Sequence, residues 1–413
     1  MRVVQIAFMY GQGGVGGACI AATRLHRALL AAGVESHYIC WDSNEPGENV
    51  HILPRRGMGR RIYYLLSRCT HYGWELTPFK KSIPLNLFSV FGLRRMLKEI
   101  DPDVVHLQWM NEDFPSLEQV AQIDYPLVVG LHDEFPFNAI EPYSGQDRRF
   151  ATGFDRGNSN WMERWLWNRK REAFSRRPLV FCGPSEWICR ECRSSIVARG
   201  AKVVCVPNVM DETYFSFYVR NSDSDRFVLI FGANGGRKNP AKGFSDLERS
   251  ILLIPEMVRR KMELRIFGEA ARDYESGGMR VRFLGSISRA EDLSREYASA
   301  DVCVLPSRLD NAPQVKFESF ACGTPVVAFN RTGCSEWIEH AQNGWIAEDG
   351  DIAGFADGIV HFFHLWERGE SAALRKAIAS KACTNFGSKR IVARTLSLYE
   401  EAIASQSLNQ SIT

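Results

Sequence analysis

Short apolar runs alternate with helical stretches twice over along this chain, and that double alternation limits the fold more than any other feature. In the first half, Val3–Met9, His37–Trp41, Val104–Gln108, Leu127–Leu131, Leu179–Cys182 and Lys202–Val206 read as strands. In the second half, Phe227–Gly232, Glu263–Phe267, Val281–Leu284, Val302–Pro306 and Pro325–Phe329 do so. Runs this short and this apolar suit strands covered on both faces. Strands separated by helices need crossover connections, hence parallel sheets with helices on each face. Ala18–Ala32 reads as one such helix, with Ile20, Leu25, Leu29 and Leu30 on its apolar face and Gly33 as its stop. A length of 413 residues suits two domains of about 150–200 residues each.

The expected division is 1–205 for the first domain, 206–385 for the second, and a final helical segment 386–413 packing back on the first. The polar Asn221–Arg226 stretch is one candidate for the crossing, and Pro207-Asn208 the other.

A net charge of +3 with 24% charged residues offers no case for a nucleic-acid partner. The eleven cysteines are odd in number and mostly lie in apolar runs. Cys189-Arg-Glu-Cys192 forms a C-x-x-C, but no second pair or histidine follows at zinc spacing. Chance placement on a helix is the preferred reading, and a reducing cytoplasmic compartment fits. Met1–Met9 runs into glycine without the pattern of a signal peptide, and no stretch approaches the roughly 18–20 apolar residues that span a bilayer. Arg55–Trp74 and Trp161–Arg177 are basic and aromatic. They suit peripheral contact with an anionic membrane or a lipid-diphosphate acceptor, or else solvated helix faces with aromatics turned inward.

Two segments carry chemistry. The glycine run Gly11–Gly17 lies between the first strand and the first helix, and Gly11, Gly13 and Gly16 make a G-x-G-x-x-G. Such a turn lets backbone N–H groups approach a phosphate. A dinucleotide site would also need an acidic residue about 20 positions on, for which Glu35 and Asp42 are available. The second segment runs from Leu305 to Ala328: a strand ends at Pro306, a loop follows, a helix starts near Pro313, and Gly323 stops it. Asn311 and Glu318 are seven residues apart and can face one pocket.

That second segment, with its Ala321-Cys-Gly-Thr-Pro-Val-Val-Ala328, resembles the motif of retaining GT-B glycosyltransferases of family four, including the colanic-acid and exopolysaccharide branch. Cys182-Gly-Pro-Ser-Glu-Trp187, Val206-Pro-Asn-Val-Met-Asp211, Ala241-Lys-Gly243, Tyr297–Ser307 and Asn343-Gly344 are similar to further stretches of that family. The resemblance implies two doubly wound, Rossmann-like α/β domains facing across a cleft, with the donor mainly on the second. It implies transfer of a sugar from a nucleotide-sugar donor to a hydroxyl of a glycan or lipid-linked acceptor, with retention. No metal and no cofactor beyond that donor is required.

Residue by residue, the resemblance places Glu318 on the nucleotide ribose, Asn311 near the donor sugar where the family usually has Glu, and Lys242 on the diphosphate. Asp310 is adjacent to Asn311 and an alternative to it. The family's arginine after the strand glycine is replaced by Ala233, so Arg237 or Lys238 takes its place. His132 matches a histidine near the donor sugar, and Asp133 orients its loop. Gly16 and Gly17 face the diphosphate, and Gly285 and Ile287 meet the base through backbone atoms. The pairs Asp101/Asp103 and Asp223/Asp225 spell D-x-D, a metal-binding string in a different glycosyltransferase fold, and are read here as structural. Two other readings stand beside this one: a nicotinamide-dependent oxidoreductase or epimerase using Gly11–Gly16, and a non-catalytic binder of nucleotide sugars.

Overall fold

A computed structural model describes every residue except 12–15, 55–56, 63, 67–84, 111–112, 217–224, 233–234 and 411–413. The chain divides into two compact units: Met1–Pro207 with Val392–Thr413, and Asn208–Ile391.

The first unit is built on a seven-stranded sheet in the order Val50–Ile52, Glu35–Cys40, Arg2–Ile6, Val104–Leu107, Leu127–Gly130, Leu179–Gly183, Lys202–Cys205. Every neighbouring pair in it is parallel. The chain moves outward from Arg2–Ile6 to one edge, then returns to build the other side from Val104–Leu107. The order therefore reverses between those two strands, and an open α/β sheet binds ligands beyond the strand ends at such a point.

The second unit repeats the plan. Its seven strands run Tyr274–Ser276, Met279–Gly285, Met262–Phe267, Phe227–Gly232, Val302–Leu305, Val326–Phe329, Gly344–Ala347. Only the edge strand Tyr274–Ser276 is antiparallel. Here the order reverses between Phe227–Gly232 and Val302–Leu305. Successive residues of a strand point to opposite faces, and both faces are covered: Phe227, Leu229 and Phe231 join one core with Phe355 and Ile359, while Val228 and Ile230 join another with Tyr297 and Phe320. This is the doubly wound α/β architecture that the alternation of runs predicts.

Three details differ from the sequence reading. The first helix, Gly17–Ala31, buries Cys19, Ala21, Ala22, Thr23, Arg24, His26 and Leu29; of the expected apolar face only Leu29 is fully buried, and Ile20, Leu25 and Leu30 are half-buried. Small residues let it approach a strand side already filled by Tyr10 and Tyr38, and His26 is satisfied by Ser36 Oγ at 2.8 Å and Glu48 O at 2.9 Å. Pro313 caps the Gln314–Ala321 helix rather than occupying its first position. The last helix, Ser388–Gln410, starts in the second unit and continues through residues of the first, where Tyr399 is fully buried.

The basic aromatic segments are split in use. In Trp161–Ser175, Lys170 and Trp167 are buried and Arg169 pairs with Glu118, whereas Trp161 is exposed. In the earlier segment Met58, Ile62, Tyr64 and Leu65 are exposed and Arg60 pairs with Asp42 at 2.7 Å; Arg55, Arg56, Tyr63 and residues 67–74 lie outside the described residues. Among the described residues no helix is long and apolar enough to cross a membrane.

Candidate functional site

In the second unit, parallel strands bring the loops that follow them to one edge of the sheet. The loop after Phe227–Gly232 carries Arg237 and Lys242; the loop after Val302–Leu305 carries Asp310 and Asn311. These loops interlock. Arg308 N donates to Ala241 O at 2.8 Å. Gly243 has φ +67°, and a Cβ there would lie 1.9 Å from Pro306 O, so only glycine permits the approach. The Pro240–Lys242 turn is capped by Asn239, whose Oδ1 accepts from Ala241 N. Lys242 Nζ then reaches Asp310 Oδ2 at 2.5 Å. Burial works against the Lys242 charge, but the Asp310 carboxylate outweighs it and holds the ammonium above its ordinary range.

Arg237 does not point away from protein. Its backbone N donates to Glu269 Oε2 at 3.0 Å, and its guanidinium meets both oxygens of Glu269 at 3.2 and 3.1 Å. It also lies over the Phe283 ring at 4.6 Å. The hydrogen bonds to Arg237 hold the Glu269 carboxyl below its usual range. Lys238 is exposed, and Ala233 lies outside the described residues.

Glu318 sits on the Gln314–Ala321 helix and is 5% exposed. Its Oε2 accepts from Tyr297 Oη at 3.1 Å. Burial, followed by the Glu318 charge, pushes the Tyr297 phenol up, so it acts as a donor. Asn311 is buried as well. On the same helix Lys316 is fully buried, and its Nζ donates to Gly333 O, Cys334 O and Glu336 O at 2.7, 3.2 and 2.8 Å. Burial brings its ammonium down to about 8. Gly285 ends the Met279–Gly285 strand and accepts from Gly268 N at 2.8 Å; Ile287, two residues on, is half-buried.

The first unit places a different set at its own reversal point. Gly16 caps the Gly17–Ala31 helix in extended conformation, and Gly16 and Gly17 are both exposed. Gly13 lies outside the described residues. His132 follows the Leu127–Gly130 strand, and its Nε2 meets Gln108 Oε1 at 3.1 Å. An amide oxygen only accepts, so Nε2 carries the proton. The Gln108 amide nitrogen lies 2.9 Å from Gln5 Oε1 and 3.2 Å from His106 Nδ1, and His106 Nδ1 meets Tyr399 Oη at 2.9 Å. Burial pulls His132 down to about 4 and, with the His132 charge as a lesser cause, His106 to about 3. Both rings are neutral near pH 7.

Asp133 accepts from Phe135 N at 2.9 Å and from Trp109 Nε1 at 3.2 Å, which ties the loop after His132. That loop is also held by buried Lys170, whose Nζ donates to Phe135 O, Asn138 O and Ala139 O at 2.5, 3.0 and 3.0 Å.

Some candidates have structural partners instead. Asp103 Oδ2 accepts from Arg2 N at 2.6 Å, and Asp101 ends the Leu93–Ile100 helix. Asp223 lies outside the described residues. Glu35 pairs with Arg2 and Asp42 with Arg60, each at 2.7 Å, so both acids proposed for an adenosine ribose are occupied by arginines. The sequence reading missed Tyr297, Glu269, Lys316, Gln108 and Lys170 as site-building groups. Only Gln108 left a signal of its own, a polar residue closing an apolar strand; the lysines look like surface helix residues until their neighbours are known.

Comparison with known proteins agrees with this architecture. The family model "Glycosyltransferase Family 4" matches residues 15–214, and "Glycosyl transferases group 1" matches residues 227–364. The chain has the GT-B fold of the group 1 and family 4 glycosyltransferases. Sucrose-phosphate synthase from Thermosynechococcus elongatus shares that fold at a TM-score of 0.67 and 17% identity, covering 98% of this chain and 99% of that one. Anabaena HepE, solved in complex with UDP, does so at a TM-score of 0.60 and 16% identity, over 96% of this chain and 100% of that one. D-inositol 3-phosphate glycosyltransferase of Paenarthrobacter aurescens is 32% identical over 115 residues, 28% of each chain. The chain thus spans well under half of that curated relative's length.

Proposed function

We propose that this protein is a glycosyltransferase that takes a sugar from a nucleoside-diphosphate sugar and passes it to a hydroxyl acceptor. The observation that carries the reading is that the two strands flanking one reversal point are followed by a cation, Lys242, and by a buried carboxylate, Glu318. A carboxylate has about four acceptor positions, so Glu318 can serve Tyr297 Oη and two ribose hydroxyls together. Lys242 is already fully charged and held by Asp310. A diphosphate competes for it and gains a fixed cation as negative charge develops on the leaving group. Arg237 contributes by exchanging Glu269 for a phosphate oxygen.

Asn311 offers an amide donor and acceptor to sugar hydroxyls. In the first unit, neutral His132 can hydrogen-bond a sugar hydroxyl, and exposed Gly16 and Gly17 can present backbone N–H groups to a phosphate. Gly285 and Ile287 meet the base. Transfer proceeds with retention and without a metal, the acceptor attacking on the face the diphosphate leaves. The solved complex of Anabaena HepE with UDP supports a nucleoside diphosphate as the bound group. The acceptor is a glycan or lipid-linked sugar met at the cytoplasmic face of a membrane, a reading supported by the exposed Met58, Ile62 and Leu65.

The test is a panel of uridine, guanosine and adenosine diphosphates and their sugars, read by thermal shift and then by nucleotide release. One base family should raise the melting temperature and one of its sugars should turn over. Binding of nicotinamide cofactors with no response to any nucleoside diphosphate would overturn the proposal. The occupied Glu35 and Asp42 do not favour that outcome, nor do the two family models, which both describe glycosyltransferases.

A further inference from the structure

One member of the first unit's C-x-x-C, Cys189, belongs to a cluster that the sequence spacing does not show. Glu186 and Cys189 lie one turn apart on the Glu186–Ser194 helix, so their side chains share a face. Cys205 ends the neighbouring strand Lys202–Cys205. The carboxylate oxygen and the two sulfurs all lie within 4.8 Å of one another. Cys192, fully buried, is not among them.

We propose that Glu186, Cys189 and Cys205 form a site for a thiophilic divalent cation, with zinc as its occupant. A tetrahedral zinc ion has bonds of about 2.3 Å to sulfur and about 2.0 Å to oxygen, so its donors stand roughly 3.5–3.8 Å apart. Small rotations about side-chain bonds bring the three donors to that spacing. Two sulfurs favour zinc over magnesium or calcium, which take oxygen ligands. A water completes the shell on the exposed side, where the Glu186 side chain is 55% accessible.

Two features support a built site. Gly183, on the adjoining strand, is the cross-strand partner of Cys205, and a Cβ there would stand 2.7 Å from Cys189 Sγ. Glycine at 183 admits the sulfur together with the Ile188 methyl, which a Cβ would meet at 2.6 Å. Arg193, on the same helix as Glu186, forms an ion pair with it and also donates to Val203 O at 3.1 Å. Two thiolates and a carboxylate carry three negative charges; the cation and Arg193 carry three positive ones. The loaded site is therefore neutral. Loading releases two thiol protons to solvent and changes no oxidation state. It would tie the helix to the last strand of the first sheet, two residues before Pro207 closes that segment of the unit.

The full chain, stripped with chelator and kept reduced, is titrated with cobalt(II) as an optical probe, then with zinc in competition. One equivalent of cobalt should give intense tetrahedral d–d bands with a thiolate charge-transfer band, and zinc should displace it and raise the melting temperature. Cys205→Ser and Cys189→Ser should each lose these bands, while Cys383→Ser, at an exposed cysteine, should keep them. On the unmutated protein, zinc should protect Cys205 from alkylation, which holds the test open if Cys189→Ser fails to fold. Bands that survive in Cys205→Ser, octahedral cobalt only, or alkylation of Cys205 indifferent to zinc would each overturn the site.

Discussion

The two reversal points share a plan and differ in charge. Each lies where a sheet changes direction, each gathers the loops that follow parallel strands, and each braces one loop with a buried lysine. Lys170 braces 135–139 in the first unit and Lys316 braces 333–336 in the second. Apart from Lys170 and the Asp133 carboxylate that ties the same loop, the first carries neutral groups in a relay: Gln5, His106, Gln108, His132 and Tyr399. The second carries ions in pairs, Lys242 with Asp310 and Arg237 with Glu269, and the Glu318 carboxylate on the helix that follows. Neutral amides and imidazoles exchange hydrogen bonds with hydroxyls at little desolvation cost, whereas fixed ions are needed where a phosphate charge must be met. The proposed function assigns hydroxyl reading to the neutral face and phosphate holding to the charged one, a division set by which side chains close the strands.

The sharpest way to break this division is to remove its main cation. Lys242→Ala should lower turnover about 100- to 1,000-fold, the range seen when one fixed charge-stabilising donor is lost. His132→Ala should cost about 10-fold, roughly 1.4 kcal/mol for a neutral hydrogen bond. Both are measured as nucleoside diphosphate released from the best donor. Equal losses would show that the charged and neutral faces do not divide the work.

The shared lysine brace predicts a shared cost. Lys170→Met and Lys316→Met should each destabilise by about 2–4 kcal/mol, since each strands three buried carbonyls while relieving one buried charge. Urea unfolding reports the size of each loss, and peptide-level hydrogen exchange reports its place. The loss should fall on 135–139 for one variant and on 333–336 for the other. Unchanged protection at both loops would mean that neither lysine braces anything.

Glu318→Gln should weaken nucleoside-diphosphate binding by about 2 kcal/mol, roughly 30-fold, because an amide replaces one acceptor oxygen by a donor. Tyr297→Phe tests the support beneath it and should lose about 1 kcal/mol of that affinity. Calorimetry on the nucleotide selected by the panel decides both. A Gln variant that binds as tightly as the parent would remove Glu318 from the ribose.

How far the sequence reached follows from the range of each signal. The central strands were legible because strands buried on both faces are apolar throughout, as in Phe227-Val-Leu-Ile-Phe231. Three of the four edge strands, Val50–Ile52, Tyr274–Ser276 and Gly344–Ala347, escaped, since an edge is open on one side and tolerates His, Glu and Gly; the fourth, Lys202–Cys205, was legible through its run of Val203, Val204 and Cys205. Glu318 and Lys242 stood out because the segments that carry them resemble stretches of a known family. Glu269 and Tyr297 did not, because each gains its meaning from a partner 32 or 21 residues away. The Cys189–Cys205 neighbourhood was hidden in the same way: the eye is drawn to Cys192 in the helix, while the sheet brings up Cys205.

The smallest expected effect sharpens the same contrast through pH. His26, His106 and His132 all belong to the first unit and are held at about 4, about 3 and about 4, chiefly by burial. Unfolding lets them return towards 6.5, so the unfolded chain binds more protons below that value and stability falls with falling pH from about 6.5 towards 4. Glu134, in the same unit, opposes this. Burial raises it to about 7, so the folded chain holds its proton from about 4.5 to 7 and gains stability as pH falls through that window. Between pH 7 and pH 6 each histidine costs about 0.7 kcal/mol and Glu134 returns about 1 kcal/mol, which leaves a net loss of about 1 kcal/mol. Glu134→Gln keeps an acceptor for Ser144 N but removes the titration, so the loss should grow to about 2 kcal/mol. Hydrogen exchange across the first sheet at the two pH values, corrected for intrinsic rate, measures both. If the Gln variant loses no more than the parent, the buried carboxyl is not the counterweight; if neither protein loses stability between the two pH values, the buried histidines do not set the acid response.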